Sequence, residues 1–331
     1  MLRAIWKYAS GYIKELLVTC MREGKIPAEW KKANVVILLK SPDRIKSDAG
    51  SYRPISLVSA WSKLIESVLV RRLKERMKEY ESESQYGFKE GKSTEDAWRK
   101  VKSTVEDAEE KYVLGIFVDF KGAFDNLEWP GLLNRLREIG CEEIDVWKDY
   151  FSERYVCVKG EVTEVWKKAE RGCPQGSVCG PVMWNLMMDV LLKELEKNDC
   201  EVVAYADDLL LLVRENNRSH LEESGTRWMR IVHEWGEKVG VQVSKTKTNI
   251  MMLKGRFDRE RQPYIRLGET KLQYVTKVKY LGITIGEGMT FKEHLVEIKK
   301  KICIITGKLS RVARKEWGLG AKERCVWYTK E

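Results

Sequence analysis

The stretch VVAYADDLLLLV at residues 202–213 constrains the fold most strongly, because it places two adjacent carboxylates inside an apolar run. The segments 202–204 and 209–213 have the composition of short buried strands. Burying an unpaired carboxylate is costly, and a second like charge beside it raises the cost. Two arrangements fit Asp207 and Asp208: a hairpin turn that faces water, or a hairpin tip that holds a divalent cation such as Mg²⁺.

A second acidic position bears on this choice. In IFVDFKGAFDNLEW an apolar strand ends at Asp119. If this strand neighbours the hairpin in one sheet, three carboxylates meet at one edge. Such a site can hold two divalent ions about 3.5–4 Å apart, the arrangement used for in-line phosphoryl transfer. Neither acidic stretch is specific by itself, but the two together favour a metal-dependent site.

The charge balance indicates the kind of partner. The chain has 331 residues, with 60 Lys and Arg against 50 Asp and Glu, for a formal net charge of +10. An excess of this sign favours a polyanion such as nucleic acid, although a merely soluble basic protein would also fit. A composition of 43% hydrophobic and 33% charged residues is typical of a globular chain.

Cysteine usage and hydropathy exclude several classes of protein. The eight cysteines form no C-x-x-C pair, and the three histidines do not combine with them at zinc-finger spacing. Reduced thiols of an intracellular protein fit best. No signal peptide is visible and no apolar run reaches the roughly 18 residues of a membrane span, so we expect no membrane partner.

The periodicity along the chain mixes helices and strands without strict alternation, which predicts an α+β fold. Helices are predicted in 1–32, 57–80, after Pro130, after Pro181, near 219–239 and from Phe291. Strands are predicted at 33–39, 112–120, 154–171, 202–213, 241–252, 264–275 and 278–285. The last helix has one apolar side, and residues 290–331 carry eleven Lys and Arg against five Asp and Glu.

Several segments in order resemble the motif series of reverse transcriptases. These are FVDFKGAFD, GCPQGSVCGP, YADD, GVQVSKTKTNIM and KYLGITI, and they follow one another from residue 117 to residue 285. The upstream segments IPAEWKKANVVILLKSPD, SYRPISLVSAWSKLIESVLVRRL and QYGFKEGKSTEDA resemble the non-LTR, LINE-type branch. The phrase GCPQGSVCGPVMWNLMMD is most similar to elements that insert into ribosomal RNA genes. The resemblance extends from about residue 20 to residue 312.

This resemblance implies a right-hand polymerase fold of the α+β class, with an antiparallel palm sheet. The implied domains are fingers with an N-terminal extension at 1–110, a palm at 111–290 with a fingers insertion near 140–172, and the start of a thumb at 291–331. We expect the apolar side of the last helix to pack on the palm or on a further part of the thumb. Full elements of this kind also carry an endonuclease and a zinc knuckle, so the chain resembles a fragment of a larger polyprotein.

The resemblance also implies the catalytic residues. Asp119, Asp207 and Asp208 match the catalytic carboxylates, and the backbone carbonyl of Phe120 would complete the ligands of two Mg²⁺ ions, with Mn²⁺ as an alternative. Lys247, in KTKTN, matches a lysine that protonates the leaving pyrophosphate. Lys245 is an adjacent candidate, and the sequence leaves that choice open.

Five further positions match contacts to the incoming deoxynucleotide. Arg53 and Lys40 would bind the triphosphate, a role that suits the forked hydrogen bonding of arginine. Phe124 would lie under the sugar and clash with a 2′-hydroxyl, although a core aromatic is the alternative. Gln175 and Gly176 would pack on the nucleotide and on the template base, since a glycine backbone permits close approach.

The implied nucleic-acid contacts lie in three segments. Residues Lys92, Ser93 and Thr94 belong to QYGFKEGKST, which resembles a template contact, and Leu281 and Gly282 belong to the turn that positions the primer end. The basic side of the last helix would contact the duplex backbone through Lys300, Lys308 and Arg311. The implied partners are an RNA template, a DNA primer and dNTPs, and the implied compartment is the nucleus. The sequence does not give the oligomeric state.

The function favoured at this stage is an RNA-directed DNA polymerase of a non-LTR retrotransposon that uses target-primed reverse transcription. An RNA-dependent RNA polymerase shares the palm carboxylates, but the bulky Phe124 and the Ala206 tip argue against it. The remaining alternative is an inactive or domesticated nucleic-acid-binding module.

Overall fold

The computed structural model describes residues 2–42, 44–160 and 163–312. The side chain of Arg311 and residues 313–331, which belong to the predicted start of the thumb, lie outside the described part. The α-helices of the described part are α1 (Leu2–Glu23), α2 (Ala60–Met77), α3 (Thr94–Glu106), α4 (Ala123–Asn126), α5 (Trp129–Glu138), α6 (Ile144–Phe151), α7 (Gly180–Lys197), α8 (Arg218–Val239) and α9 (Lys292–Val312).

The strands of the same residues form two larger sheets and three short pairs. They are β1 (Lys32–Leu39), β2 (Tyr52–Val58), β3 (Tyr112–Val118), β4 (Phe120–Lys121), β5 (Arg154–Lys159), β6 (Glu164–Ala169), β7 (Glu201–Tyr205), β8 (Asp208–Glu215), β9 (Gln242–Val243), β10 (Asn249–Lys254), β11 (Arg266–Leu267), β12 (Thr270–Lys271), β13 (Gln273–Tyr274), β14 (Lys277–Tyr280) and β15 (Ile283–Gly286). This mixture confirms the predicted α+β class.

The five-stranded sheet has the order β13-β10-β3-β8-β7. Strands β10, β3, β8 and β7 pair antiparallel, as expected for the palm, whereas β13 joins the edge in parallel. Alternate residues of β3 belong to different hydrophobic clusters: Leu114 and Ile116 pack on one face of the sheet, and Val113 and Phe117 on the other. Burial on both faces explains why the sequence of these strands is continuously apolar.

The four-stranded sheet has the order β2-β1-β5-β6 and joins two distant parts of the chain. Strand β1 pairs antiparallel with β2 and parallel with β5, and β5 forms the predicted hairpin with β6. Much of this sheet remains in contact with water, including the apolar side chains of Ile37, Leu38 and Val165.

The last helix does not pack as expected. Helix α9 contacts β15 near its beginning, where the Thr284 hydroxyl donates to Glu297. Its apolar side is open on both sides of that contact: Leu295 is 62% exposed and Ile302 is 56% exposed. Of the two expected partners, the palm and a further part of the thumb, the described palm residues leave this side uncovered. The alternative, cover by a further part of the thumb, stays a prediction.

Three of the described helices were not predicted. The short helix α4 follows Gly122, which has a left-handed conformation. Helix α3 begins after Ser93, whose side chain and that of Asp96 form a reciprocal capping box. Helix α6 buries Trp147, Tyr150 and Phe151 beneath the loop that follows β6. The predicted strand at 241–252 is interrupted, because the turn 244–248 separates β9 from β10.

Candidate active site

Three carboxylates lie at one end of the five-stranded sheet. Asp119 directly follows β3, and Asp207 and Asp208 lie at the turn between β7 and β8. Val118, the last residue of β3, pairs with Leu209 of β8, so the register brings Asp119 beside the turn. The three carboxylates therefore lie next to one another at one end of the sheet, as the two acidic segments predicted.

The pKa values of Asp207 and Asp208 reflect the burial of the two carboxyl groups and the neighbouring charges. Both aspartates of the turn keep contact with water, but the surrounding protein removes part of their hydration. Partial burial raises the pKa of Asp207, the Asp119 charge adds to this, and Arg53 opposes it. Partial burial and then the charges of Asp207 and Asp119 raise the pKa of Asp208 to about 6. A nearby cation would relieve this repulsion.

Asp119 is tied to the lysine-containing turn 244–248. Its backbone N–H donates to the Thr248 hydroxyl at 3.2 Å, and its carbonyl accepts from the Ser244 N–H at 2.7 Å. These bonds bring Lys247 Nζ to 3.7 Å from Asp119 Oδ2. Lys247 lines the cleft beside the carboxylates and Lys245 is not among the lining residues, so geometry favours Lys247 of the two candidates.

A cleft of about 660 Å³ opens in front of the carboxylates. Nine of the predicted site residues line it: Lys40, Arg53, Asp119, Phe120, Phe124, Gln175, Gly176, Asp207 and Lys247. Asp208 is not among the lining residues, and its charge instead acts on Tyr280, at the end of β14. The cleft brings together residues from both sheets, because Lys40 follows β1 and Arg53 lies on β2.

Phe124 is held between two other aromatic rings. Trp184 lies 5.4 Å from it in a tilted arrangement, and Phe88 meets it edge-on at 6.0 Å. Trp184 is fully buried, whereas Phe88 is 45% exposed and lines the cleft. Sequence reasoning missed Phe88 as a cleft residue, although it belongs to the quoted segment QYGFKEGKST. Phe124 is thus neither a pure core residue nor a free surface one.

The glycine-rich loop before α7 docks on β2. The Ser56 N–H donates to the Gln175 carbonyl at 2.7 Å, and a Cβ at Gly176 would fall 2.8 Å from the Ser56 oxygen. Gly176 also has a φ of +109°, so this close approach requires glycine. The Gln175 side chain donates to both carboxylate oxygens of Asp125 at 3.0 Å.

A buried carboxylate supports this loop from behind. Glu66 of α2 is fully buried and accepts three hydrogen bonds, from the Ser62 hydroxyl at 2.9 Å, the Tyr150 hydroxyl at 2.8 Å and the Val178 N–H at 2.7 Å. The periodicity of α2 gave no sign of a buried acid, since its spacing alone does not identify polar partners. Glu66 connects α2, α6 and the glycine-rich loop.

The predicted nucleic-acid residues lie in three segments, and none of those that the structure describes lines the cleft. Lys92 forms an ion pair with Glu83 at 3.4 Å, Ser93 caps α3, and Thr94 is its first residue. Leu281 and Gly282 form the two-residue turn between β14 and β15, both with positive φ. Lys300 and Lys308 are exposed on α9. Contact of these residues with nucleic acid stays a prediction.

The oxygen atoms of the three carboxylates are candidate ligands for a metal ion. Within the described ranges, no group of three or more His, Cys, Asp or Glu residues is arranged so that it could hold a metal ion. Asp119 Oδ2, however, is shielded from water and has no hydrogen-bond partner. A carboxylate oxygen that accepts no hydrogen bond, beside two further carboxylates, offers the kind of oxygen donors that suit Mg²⁺. No helix in the described part is long and apolar enough to cross a membrane.

The comparison with known families shows which family the chain belongs to. The family described as "Reverse transcriptase (RNA-dependent DNA polymerase)" matches residues 40–285, which include every cleft residue named above. The chain belongs to the reverse transcriptase family. Reverse transcriptases generally depend on a divalent metal ion and act on an RNA template and a primer.

Curated relatives point to one group of reverse transcriptases. The chain is 44% identical over 326 residues to the "Putative 115 kDa protein in type-1 retrotransposable element R1DM" of Drosophila melanogaster, covering 98% of this chain and 32% of the relative. It is 45% identical over 329 residues to the "Retrovirus-related Pol polyprotein from type-1 retrotransposable element R1" of Bradysia coprophila, covering 99% and 33%. The chain thus spans about a third of their length, and the predicted resemblance is confirmed.

Solved structures agree in fold. Apo telomerase from Candida tropicalis, truncated from its C-terminal domain, matches with a TM-score of 0.55 at 13% identity. The match covers 84% of this chain and 59% of the telomerase chain. At this identity the likeness concerns the fold alone, and it confirms the predicted polymerase fold class.

Proposed function

We propose that this chain is an RNA-directed DNA polymerase that adds deoxynucleotides to the 3′-hydroxyl of a DNA primer. The observation that carries the proposal is the meeting of Asp119, Asp207 and Asp208 at one sheet end, in front of a cleft that contains Arg53 and Phe124. Membership of the reverse transcriptase family supports it.

The carboxylates and the backbone carbonyl of Phe120 would hold two Mg²⁺ ions, or Mn²⁺ with the same ligands. The Asp119 Oδ2 atom, which accepts no hydrogen bond, and the mutual repulsion of the three aspartates support this assignment. When bound, such ions lower the pKa of the attacking hydroxyl and neutralise charge on the leaving pyrophosphate. The protein's own contribution is to hold the ligands on a rigid sheet, so that little reorganisation is needed.

The cleft residues would select and orient the nucleotide. Arg53 and Lys40 bind the triphosphate, and the effect of Arg53 on the pKa of Asp207 supports a position near the reacting phosphate. Phe124, held between Trp184 and Phe88, presents its ring to the sugar. Gln175 and Gly176 border the same cleft and would pack on the nucleotide and its template base.

Lys247 would act as the general acid. Its Nζ lies 3.7 Å from Asp119 Oδ2 at the edge of the cleft. From there its ammonium would donate a proton to the leaving pyrophosphate.

The two sheets and the last helix would correspond to the parts of a polymerase hand. The fingers comprise residues 1–110 and the insertion near 140–172, an assignment supported by the pairing of β5 with β1. The palm comprises 111–290 and the thumb begins at 291. The template and primer would contact Lys92, Ser93 and Thr94, the turn at Leu281–Gly282, and the basic side of α9 through Lys300, Lys308 and Arg311.

The relatives indicate the biological setting. Similarity to type-1 retrotransposable elements supports a role in a non-LTR element, as one part of a longer polyprotein that includes an endonuclease. Copying would start from a nicked chromosomal target, which implies a nuclear site of action.

A primer-extension assay tests the proposal. The purified chain is given a DNA primer on an RNA template with Mg²⁺, first with dNTPs and then with NTPs. Extension with dNTPs alone is expected. Extension with NTPs would favour an RNA-dependent RNA polymerase, which the bulky Phe124 argues against, and duplex binding without extension would favour an inactive binding module.

A further inference from the structure

The turn that presents the catalytic aspartates has an unfavourable backbone. Ala206, between β7 and Asp207, has a φ of +57°, in the left-handed region that favours glycine. An alanine remains there only when surrounding groups over-determine its conformation. Since Asp207 and Asp208 follow directly, their direction depends on what holds Ala206.

The Gln85 side chain holds both backbone polar groups of Ala206. Its Oε1 accepts from the Ala206 N–H at 2.9 Å and from the Gly87 N–H at 2.8 Å. Its Nε2 donates to the Ala206 carbonyl at 3.3 Å, which also accepts from Trp184 Nε1 at 2.8 Å. Gln85 is only 3% exposed, so water does not compete effectively for these bonds.

The backbone around Gln85 makes this contact obligatory. Residues 84–86 run parallel beside β7, where the Tyr86 N–H donates to the Ala204 carbonyl and the Ala204 N–H to the Ser84 carbonyl, both at 2.8 Å. A Cβ at Gly87 would fall 2.1 Å from the Ala206 nitrogen, so the two segments touch directly. A carboxamide supplies both an acceptor and a donor, which match the N–H and the C=O of a single residue.

We propose that Gln85 is a positioning residue that fixes the Ala206 turn and thereby aims Asp207 and Asp208 into the site. The expected effect of Gln85 on the polymerisation rate rests on the proposed function, whereas its effect on the conformation of the turn does not. Gln85 touches neither primer nor nucleotide in this role. Removing its amide releases the turn from its left-handed conformation, and misplacement of a catalytic group by about 1 Å can cost on the order of a hundredfold in rate.

The test uses Gln85→Met, which keeps the length of the side chain and removes both hydrogen-bonding atoms. We expect kcat for dNTP incorporation to fall about 10- to 100-fold, with unchanged affinity for the template-primer duplex. Ala206→Gly, measured alone as a baseline, is then combined with Gln85→Met. Because glycine adopts positive φ without the steric penalty of a Cβ, the double variant is expected to recover most of the lost rate.

A second measurement does not depend on activity. Hydrogen exchange at the Ala206 amide should accelerate in Gln85→Met and in the milder Gln85→Leu, but not in Gln273→Leu, an exposed glutamine on β13 of the same sheet. If the wild-type chain does not polymerise, the proposed function fails while the exchange result still decides the role of Gln85. Two results would overturn the proposal. One is an unchanged exchange rate at the Ala206 amide in Gln85→Met. The other is a loss of kcat that Ala206→Gly does not rescue and that is accompanied by weaker duplex binding.

Discussion

The two large sheets contrast in burial. All seven residues of β3 in the five-stranded sheet are buried, and its neighbours β8 and β10 are buried along their centres. In the four-stranded sheet, β6 has no fully buried residue and β1 has one. The carboxylates belong to the buried sheet, whereas Lys40 and Arg53 come from the exposed one. The proposed catalytic carboxylates therefore lie on the sheet with the more complete packing, and the proposed phosphate-binding groups, Lys40 and Arg53, lie on the sheet that is more exposed to water.

The strongest test of this contrast removes the charges at the end of the buried sheet. Asp119→Asn, Asp207→Asn and Asp208→Asn are each expected to lower primer extension about a thousandfold or more, a loss of about 4–5 kcal/mol of transition-state stabilisation. The fold should survive, because the side chains lie at the sheet end rather than in its core. Extension is measured by single-nucleotide incorporation, with circular dichroism as the control for folding.

The same variants also test the electrostatic repulsion between Asp119, Asp207 and Asp208, through their effect on the melting temperature. Partial burial and neighbouring charges raise the pKa of Asp208 to about 6, so the carboxyl is still mostly ionised at pH 7, but ionising it costs more in the folded chain than in the unfolded chain. Asp208→Asn removes this penalty, so its melting temperature in metal-free buffer should match or exceed that of the wild type. Near-wild-type extension by Asp119→Asn or Asp207→Asn would contradict the catalytic assignment.

A matched pair of leucines compares the two sheets directly. Leu212 on β8 is 1% exposed and Leu38 on β1 is 52% exposed. Leu212→Ala should lower the free energy of unfolding by about 2–5 kcal/mol, because it leaves a cavity. Leu38→Ala should change it by less than about 0.5 kcal/mol. Urea denaturation measures both, and equal losses would mean that Leu38 is covered in solution.

A substitution of Phe124 tests whether this ring, which packs on the buried Trp184, determines the preference for deoxyribonucleotides over ribonucleotides. Phe124→Val should reduce the preference for a dNTP over the matching NTP by up to on the order of a hundredfold, since the ring excludes the 2′-hydroxyl by shape. The measurement is the ratio of kcat/KM for the two nucleotides. Phe257→Leu, an aromatic packed on Tyr112 outside the cleft, serves as the control. An unchanged ratio in Phe124→Val would make Phe124 a core residue only.

The smallest effect is expected on the exposed helix α9. Replacing Lys300, Lys308 and Arg311 with Gln should weaken binding to any RNA–DNA duplex. The slope of the logarithm of the binding constant against the logarithm of the salt concentration should become shallower by roughly 0.7–0.9 for each lost phosphate contact. Affinity is measured across a salt series. The control replaces three exposed cations of the packed helix α2, Lys63, Arg71 and Lys74, with Gln. Parallel slopes for wild type and the α9 variant would place duplex binding elsewhere, near residues 89–94.

Local patterns predicted well the end of the five-stranded sheet where the three carboxylates meet. Apolar runs that end in acid indicated β3 and the β7–β8 hairpin, since buried strands and their polar ends are encoded by adjacent residues. The predicted cleft residues Lys40, Arg53 and Phe124 do line one cleft. Their roles toward substrate stay predictions.

The features that sequence reasoning missed depend on long-range contacts. Gln85 and Glu66 look like ordinary surface positions, because nothing near them in the chain shows which buried groups they bind. Helix α3 was missed because KST was interpreted only as a nucleic-acid contact, although Ser93 and Asp96 also form a capping box. The apolar side of α9 predicted packing that the described residues do not supply, since periodicity reports an apolar side but not its partner.

The hydrogen bonds of Glu66 have a consequence for folding kinetics. They join residues that are 84 and 112 positions apart in the chain, through Tyr150 and Val178. Contacts of such high sequence separation require closure of long loops, which costs entropy before any bond forms and slows folding. The glycine-rich loop should therefore reach its final shape late, after helices α2 and α6 have met. A growing polypeptide on the ribosome cannot complete this cleft until Lys247, the last of its lining residues in sequence order, has been synthesised.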